Sequence, residues 1–340
     1  MNKRIKNVQP LKSLNEGIPQ IPELSLKLQR TCEITIEIDG LFKTFTISYD
    51  DVKNGEKIGS GEYGEVFKVY FKEADIYLAV KNVVYKEMLA VDKRNARIMD
   101  LEVALKVENK CENLIKFFGA ILAEGHIWIV SELMDAPLDR FYLTGFEMQG
   151  QIPELFISKV AHAVLNALTF LKEIKIMHRD IKPSNILLNY NGQIKLCDFG
   201  ISGFTDNSVC KTLKGTRRYI APEKICSTSQ QIEYCIKSDI WSLGITIIEI
   251  ATGKNPFHNI QNDLVLSAFI EKNDPPRLDA SIFSLELCDF VRKCVQKIPE
   301  KRSSHIELLE HKFINKYLDC PNDLEYIKLI LDEVKKDVFE

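Results

Sequence analysis

Hydrophobic and polar residues alternate in the first strongly patterned segment of the chain, residues 33–48. The alternation continues on both sides of Asp39-Gly40, a dipeptide typical of two-residue turns, which predicts a β-hairpin. Strand-like patterns follow over 55–84 and 113–131, with a helical pattern between them at 94–107. The first part of the chain is therefore predicted to form a small, mainly β unit.

The second part is dominated by long amphipathic runs with helical spacing. These runs cover residues 154–174, 238–251, 262–272 and 285–297. The pattern predicts a mainly α unit. Residues 1 to about 30 have neither helical nor strand periodicity and are predicted to be extended or disordered.

Composition narrows the class of protein without choosing a chemistry. With 340 residues, of which 45% are hydrophobic, the chain is long enough for about two domains. A formal charge of −3 gives no overall attraction to nucleic acid or to anionic membranes, and no apolar run indicates a secretory leader or membrane insertion. The 9 cysteines lack the spacing of a zinc site or of a disulfide framework, which favours a reducing compartment.

Two polar patches point to phosphoryl transfer. Residues 177–185 contain Asp180 and Asn185, and the second patch is Asp198-Phe199-Gly200. Moving a γ-phosphoryl group requires a carboxylate that orients the attacking hydroxyl, and oxygen ligands for the metal ions that neutralise the developing charge. Asp180 fits the first role, and Asn185 and Asp198 fit the second.

The sequences of these two patches, and the separation between them, resemble the catalytic loop and magnesium-binding motif of the eukaryotic protein kinase family. The resemblance implies an α+β, bilobal fold, with a mainly β N-lobe at about 33–133 and a mainly α C-lobe at about 134–314. It also implies ATP and Mg²⁺ as cofactors. Lys182 resembles the lysine that steadies the γ-phosphate in kinases acting on Ser or Thr hydroxyls.

A glycine-rich segment matches the phosphate loop of the same family. The segment Gly59-Ser60-Gly61-Glu62-Tyr63-Gly64-Glu65-Val66 fits Gly-x-Gly-x-x-Gly-x-Val, in which missing side chains let backbone NH groups approach phosphate oxygens. A dinucleotide-binding fold would place a helix after the glycines, but the apolar residues after Val66 indicate a strand. Ala79-Val80-Lys81 resembles the strand whose lysine holds the α- and β-phosphates.

The resemblance also implies which residues surround the nucleotide. The adenine is expected between apolar side chains and against the backbone of the segment that joins the lobes. Ser131 takes a position at which the kinases that this chain resembles usually have a bulky Met, which predicts an additional apolar pocket behind the nucleotide. The nucleotide-binding set is Ile58, Gly59, Ser60, Gly61, Glu62, Tyr63, Gly64, Val66, Ala79, Lys81, Ser131, Glu132, Met134 and Leu187.

Further residues resemble structural and regulatory positions of kinases. Asp100 aligns with the glutamate that pairs with the strand lysine, and the shorter Asp predicts that its helix must move inward to reach that lysine. Arg179 resembles the arginine that meets the phosphorylated activation segment. Glu223 and Arg302 resemble a buried pair at the end of that segment, and Asp239 resembles the helix acid that holds the catalytic loop.

Further sequence motifs resemble those of one group of kinases in particular, the dual-specificity MAP kinase kinases. Residues 182–185, 195–203 and 132–135 carry this resemblance, which covers about residues 33–335. Ser208 and Thr212 are similar to the Ser-x-x-x-Ser/Thr pair that an upstream kinase phosphorylates in that group. The Ser-x-x-x-Thr pair resembles that of the stress-type branch, whereas residues 215–219 resemble those of the mitogen-type branch. The sequence therefore leaves open to which of the two branches the chain belongs.

The N-terminal segment, residues 1–32, resembles a docking device of this group. Lys3, Arg4 and Lys6 precede the aliphatic residues Val8 and Leu11, similar to the segment that binds the acidic groove of the substrate MAP kinase. A plain solvated tail fits the same residues equally well.

The C-terminal segment, residues 315–340, resembles a second docking device. Leu324, Ile327, Leu331 and Val334 line one face of a predicted helix, similar to the site that engages an upstream MAP kinase kinase kinase. Packing of this face onto the large lobe is the alternative.

The resemblance implies an ATP-dependent kinase that phosphorylates Thr and Tyr in the activation loop of a MAP kinase, after its own phosphorylation at Ser208 and Thr212. A Ser/Thr-only kinase of related lineage and a nucleotide-binding pseudokinase scaffold are the alternatives. The intact set of Lys81, Asp180 and Asn185, together with Asp198, argues against the scaffold. A cytoplasmic location is expected, with the nucleus as a second compartment.

Overall fold

The computed structural model describes residues 30–61, 64–84, 107, 109–198, 216–225 and 236–336. A β-rich small lobe is followed by a helical large lobe, so the predicted α+β, bilobal fold is confirmed. The helix predicted at 94–107 lies outside the described residues, apart from Val107.

The small lobe is built from two antiparallel sheets. Its elements are β1 (Thr31–Ile38), β2 (Leu41–Ser48), α1 (Tyr49–Val52), β3 (Glu56–Gly61), β4 (Gly64–Phe71), β5 (Ile76–Val84), β6 (Phe117–Ala123) and β7 (His126–Glu132). Strands β1 and β2 form the hairpin, and the other five form one sheet in the order β3-β4-β5-β7-β6. Strand β5 therefore lies at the centre of the larger sheet, with a hydrogen-bonded partner on each side.

The hairpin has the register that the alternation predicts. Its turn residues Asp39 and Gly40 have φ angles of 53° and 74°, the positive values that a tight two-residue turn requires. Ile34 and Ile47 are fully buried and belong to the same apolar cluster as residues of the larger sheet. The hairpin thus covers one face of the small lobe.

The large lobe begins with a short three-stranded sheet and continues as packed helices. The strands are β8 (Ala136–Pro137), β9 (Ile186–Leu188) and β10 (Ile194–Leu196), in the order β10-β9-β8. The helices are α2 (Leu138–Gln149), α3 (Glu154–Glu173), α4 (Pro222–Ile225), α5 (Lys237–Thr252), α6 (Asp263–Lys272), α7 (Leu285–Cys294), α8 (His305–Leu309), α9 (Lys312–Tyr317) and α10 (Leu324–Lys336). Single 3₁₀ turns occur at Pro183–Asn185, Thr216–Tyr219 and Pro299–Lys301.

Helices α3 and α5 form the centre of this lobe. By length and composition alone, α3 is apolar enough to cross a membrane, but 61% of its most apolar window is buried inside the protein, as expected for a core helix. Helix α5 is buried from Ser238 to Ala251, including its polar side chains. Those polar side chains need partners inside the protein, and Ser238, Asp239 and Glu249 find them in the contacts described below.

Helix α7 ends earlier than its pattern predicts. The helical run was expected to reach residue 297, but α7 ends at Cys294. The cap residue Val295 already has non-helical backbone angles, and Pro299 starts a 3₁₀ turn four positions further on.

The C-terminal helix α10 packs against α2 of the large lobe, so its apolar face is covered by the chain itself. Ile327, Leu331 and Val334 are buried as part of this face, whereas Leu324 is 39% exposed. Tyr326 and Ile330, which the pattern analysis did not include, complete the buried face. A docking role for the predicted four-residue face does not fit this arrangement, and the alternative of packing on the large lobe is correct.

Candidate active site

The catalytic loop, residues 177–185, is held at its start by Asp239 of α5. The buried Asp239 carboxylate accepts hydrogen bonds from His178 N at 3.1 Å and Arg179 N at 2.9 Å. Arg179 has a φ of 67°, a conformation that non-glycine residues rarely adopt. Such backbone geometry persists where surrounding contacts enforce it, and the two bonds to Asp239 supply that constraint.

His178 links the catalytic loop to the segment that carries Asp198. Its Nε2 lies 3.0 Å from the carbonyl oxygen of Cys197, and its Nδ1 lies 3.3 Å from the backbone N of Asp180. Complete burial lowers the pKa of His178, and this effect outweighs the neighbouring carboxylates, which would raise it. A neutral ring protonated on Nε2 satisfies both contacts, because Nε2 then donates and Nδ1 accepts.

Asp180 is oriented through one of its two carboxylate oxygens. Oδ2 accepts hydrogen bonds from Lys182 Nζ at 2.7 Å and from Asn185 Nδ2 at 2.8 Å. Oδ1 is buried and has no hydrogen-bond partner among the residues that the structure describes. A buried oxygen without a partner is costly unless a ligand completes it, so Oδ1 is the atom placed to accept a hydrogen bond from a substrate hydroxyl.

Lys81 and Asp198 meet across the two lobes. Lys81 lies on β5 of the small lobe, Asp198 follows β10 of the large lobe, and Lys81 Nζ donates to Asp198 Oδ1. The side chains are 19% and 26% exposed, so their attraction is less screened than that of a surface pair. Asp198 has a φ of 68°, which makes it a second residue of the site in the left-handed region. Asp100, the expected partner of Lys81, lies outside the described residues.

The phosphate loop lies at the end of the β3–β4 hairpin. Gly61 pairs with Gly64, and Gly64 has a φ of 148°. A Cβ at Gly64 would lie 2.1 Å from the carbonyl oxygen of Asn82 on β5, so only glycine permits this approach of the two strands. Glu62 and Tyr63, which separate these two glycines in the sequence, lie outside the described residues.

The predicted adenine-binding residues lie on elements from both lobes. Val66 pairs with Lys81 on the neighbouring strand, Ala79 pairs with Ser131, and Leu187 lies on β9. Ser131 Oγ donates to the carbonyl oxygen of Ala79 at 3.3 Å. The small Ser131 side chain is thus turned toward its own sheet, and its role in nucleotide binding stays a prediction.

The donor set suits a magnesium nucleotide. Mg²⁺ prefers carboxylate and carbonyl oxygens and is commonly held by one or two protein side chains together with substrate phosphates. Asp198 and Asn185 are positioned for this role, because the backbone N of Cys197, next to Asp198, donates to the carbonyl oxygen of Asn185 at 2.9 Å. In the described part of the chain, no group of three or more His, Cys, Asp or Glu is placed to hold a metal ion by itself. Phosphate oxygens of the nucleotide would therefore complete the ligands.

Arg302 and Glu223 form a buried ion pair beyond the activation segment. The two NH groups of Arg302 donate to the two carboxylate oxygens of Glu223 at 2.8 and 2.9 Å, and Ser238 Oγ adds a bond of 2.9 Å. Burial would raise the pKa of Glu223, but the contacts with Arg302 outweigh it and hold the pKa below its usual range. The structure therefore brings together the predicted pair, and α5 contributes to it through Ser238.

One polar cluster of the large lobe was not predicted from the sequence. The buried Glu249 of α5 accepts hydrogen bonds from Tyr142 Oη at 2.8 Å, Tyr219 Oη at 2.7 Å and Asn255 Nδ2 at 2.7 Å. Burial and the Glu249 charge raise the pKa of both tyrosines, so both remain donors. The cluster ties Tyr219, just beyond the activation segment, to the helical core.

A second unpredicted contact lies behind the segment that joins the lobes. Lys195 of β10 is 2% exposed, and its Nζ donates to Glu132 Oε1 at 2.6 Å. The same oxygen accepts the backbone N of Lys116 at 2.6 Å. In the sequence, Lys195 lies between the apolar residues Ile194 and Leu196 of a buried strand. A lysine buried in this way requires an anionic partner, and this was the sequence signal from which the contact could have been predicted.

These features define a phosphotransferase of the protein kinase type, and the comparisons with known proteins agree. The family model described as "Protein kinase domain" matches residues 52–314. The chain is 37% identical over 298 residues to the dual specificity mitogen-activated protein kinase kinase sek-1 of Caenorhabditis elegans, covering 87% of this chain and 86% of that protein. It is also 37% identical over 301 residues to dual specificity mitogen-activated protein kinase kinase 7 of Homo sapiens, covering 87% and 70%. The chain belongs to the protein kinase family and, within it, to the dual-specificity mitogen-activated protein kinase kinases.

Acidification is predicted to destabilise the protein through His178. The folded pKa lies below the ordinary value of 6.5, so both states are neutral well above pH 6.5, and only the unfolded chain gains a proton as the pH first falls below it. The free energy of unfolding should then fall by up to about 1.4 kcal/mol per pH unit for this group. Denaturant titrations between pH 7 and pH 5.5 measure the slope. His178→Gln should reduce it, and an unchanged slope in that variant would contradict the assignment.

Proposed function

We propose that this protein transfers the γ-phosphoryl group of ATP to Thr and Tyr in the activation loop of a MAP kinase. The observation that carries the proposal is the geometry of Asp180, whose Oδ2 is held by Lys182 and Asn185 while Oδ1 has no partner in the described part of the chain. The cross-lobe contact of Lys81 with Asp198 supports it. The names of the relatives, which specify mitogen-activated protein kinase kinases of dual specificity, supply the substrate class.

Each side chain of the site has a separate task in this reaction. Lys81 offers an ammonium group to the α- and β-phosphates, and Lys182, close to Asp180, offers one to the γ-phosphate. Asn185 and Asp198 would hold Mg²⁺, which supplies neutralisation of the charge on the phosphate oxygens. Asp180 orients the substrate hydroxyl through Oδ1 and accepts its proton late in the transfer. Positioning and electrostatics, rather than strong basicity, account for the rate.

Regulation is proposed to act through the activation segment. Ser208 and Thr212 lie outside the described residues, but the segment beyond them is fixed at Tyr219 and at Glu223. Each phosphate would add close to two negative charges, and Arg179 is a cation of the catalytic loop that could pair with them. Phosphorylation would thus attach the segment to Arg179, while the chain beyond it is already fixed at Tyr219 and Glu223.

Two alternatives differ in their observable outcome. A Ser/Thr-only kinase would give phosphothreonine but no phosphotyrosine in the MAP kinase, and phosphoamino-acid analysis separates the two. A pseudokinase scaffold would bind nucleotide without transfer. The arrangement around Asp180 argues against the scaffold, because a binding protein has no need for an oriented and partly unpaired carboxylate. The cytoplasmic location stays a prediction from the sequence.

Asp180→Asn should slow transfer strongly without abolishing nucleotide binding. Asn cannot take up the proton, so we expect kcat to fall by about 10²- to 10⁴-fold, with the affinity for Mg-ATP changed by less than about threefold. Phosphate incorporation into several candidate MAP kinases, separated into phosphothreonine and phosphotyrosine, is the measurement. Asp319→Asn, at an exposed carboxylate between α9 and α10, is the matched control. Full turnover by Asp180→Asn would refute the assigned role.

Ser208→Ala combined with Thr212→Ala should prevent activation by an upstream MAP kinase kinase kinase. The protein is treated with that kinase and its activity toward a MAP kinase is followed. Thr205→Ala, a hydroxyl lost from the same segment, is the control and should be activated like the unmodified protein. Activation of the double variant to the unmodified level would show that the switch lies elsewhere.

We also propose that Lys3, Arg4 and Lys6 dock the substrate MAP kinase, although they lie outside the described residues. Deletion of residues 1–14 should raise KM for an intact MAP kinase several-fold and leave phosphorylation of a short activation-loop peptide unchanged. Equal KM values for the intact substrate before and after deletion would make this segment a solvated tail. Upstream kinase docking is not assigned to the buried face of α10.

A further inference from the structure

The C-terminal helix α10 lies beyond residues 52–314, the part that matches the protein kinase family model, yet it is firmly attached. Tyr326 packs edge-on against Phe141 of α2 and Phe156 of α3, with ring centroids 5.9 and 6.0 Å apart. Ile330 is fully buried one turn later. Because apolar packing fixes the axial position and rotation of the helix, its polar edge is also placed at a defined point of the large lobe.

The polar edge of the last turns contacts the segment that follows β9. Tyr190 Oη donates to Asp332 Oδ1 at 2.7 Å. Lys335 Nζ lies 4.3 Å from the centroid of the Tyr190 ring, a cation–π distance. The same Nζ donates to Asp135 Oδ1 at 3.2 Å. Two residues of α10 thus hold one tyrosine and one carboxylate of the lobe.

Asp135 is the point where these contacts reach the proposed nucleotide site. Its second oxygen, Oδ2, accepts the backbone N of Tyr190 at 3.0 Å, and its own backbone N donates to the carbonyl oxygen of Leu188 at 3.0 Å. Asp135 directly follows Met134, whose backbone is expected to meet the adenine edge. The next residues, Ala136–Pro137, pair with β9, which carries Leu187 at the expected floor of the adenine site.

The pair between Lys335 and Asp135 is partly protected from solvent. The two side chains are 48% and 28% exposed. Partial burial would lower the pKa of Lys335, but the contacts with Asp135 and Tyr190 outweigh it and raise the pKa. Lys335 is therefore charged at neutral pH and pairs with Asp135 as a cation.

We propose that Lys335 is a positioning residue for nucleotide binding, acting through Asp135 to hold Met134 and Leu187 in place. The C-terminal helix then serves as a support for the adenine site rather than as a separate appendage. This inference rests on the proposed nucleotide site. It requires no contact between α10 and the nucleotide itself.

Lys335→Met tests the proposal, because it removes the charge and keeps an unbranched apolar side chain beside Tyr190. We expect the Kd for a fluorescent ATP analogue with Mg²⁺, and KM for ATP, to rise about threefold, the loss appropriate to one partly exposed ion pair. KM for the MAP kinase should not change. Lys335→Arg should retain most of the affinity, because it keeps a cation within reach of Asp135.

Lys336→Met is the matched control, since Lys336 lies on the same turn and pairs with Glu333 at 2.7 Å instead of with Asp135. It should leave nucleotide affinity unchanged. Asp135→Asn should weaken binding to the same extent as Lys335→Met, and the double variant should be no weaker than either single variant. Thermal melting of each variant shows whether folding is retained.

Two outcomes would overturn the proposal. One is an unchanged nucleotide Kd in Lys335→Met, and the other is an equal rise in KM for ATP and for the MAP kinase. Failure of the unmodified protein to bind the ATP analogue at all would instead overturn the proposed function, so the two failures are distinguishable.

Discussion

The approach of Lys81 to Asp198 is the contact on which the rest of the site depends. One residue comes from the central strand of the small-lobe sheet and the other follows the last strand of the large lobe, 117 positions later in the chain. An ammonium group and a carboxylate at this junction can serve a triphosphate and its metal ion only if both lobes hold them rigidly. Strand β5 has hydrogen-bonded neighbours on both sides, and the residue before Asp198 is bound to the carbonyl oxygen of Asn185. The position of the ion pair is therefore set by backbone structure in each lobe.

Helix α5 connects the chemistry of the large lobe to its regulation. Asp239 holds the catalytic loop, and Ser238 bonds to the ion pair of Glu223 with Arg302. Further along, Ser242 Oγ donates to the carbonyl oxygen of Tyr219 at 2.8 Å, and Glu249 accepts the hydroxyl of the same residue. The start of the catalytic loop and the end of the activation segment are thus attached to one buried helix. The proposed phosphorylation at Ser208 and Thr212 therefore acts on a segment whose far end is already fixed relative to Asp180.

Much of this architecture could be predicted from the sequence, because its signals are local. Alternation around Asp39-Gly40 specifies the hairpin, and helical spacing specifies α3 and α5 to within a residue or two. The catalytic residues could be predicted because they lie in a few short sequence motifs. The end of α7 was predicted too late, because the amphipathic pattern continues past the cap residue Val295, where the backbone leaves helical geometry.

The remaining features are long-range, and spacing alone does not reveal them. In the sequence, Glu249 is one polar residue in an apolar helix, and its tyrosine partners lie 107 and 30 residues away along the chain. The pairing of Lys195 with Glu132 depends on the approach of β10 to the joining segment. For α10, periodicity indicates an apolar face but not what covers it, so both docking and packing were compatible with the pattern. Burial of Ile330 against the large lobe decides for packing.

Calorimetric titration of a non-hydrolysable ATP analogue, with and without Mg²⁺, tests the central claim most directly. If Lys81, Asn185 and Asp198 gather the triphosphate and its metal ion, Mg²⁺ should strengthen binding in the unmodified protein, and Asp198→Asn should lose most of that gain. Lys81→Met should weaken binding while the dependence on Mg²⁺ persists. Equal affinities in the presence and absence of Mg²⁺, or an Asp198→Asn variant with the full Mg²⁺ effect, would contradict the account.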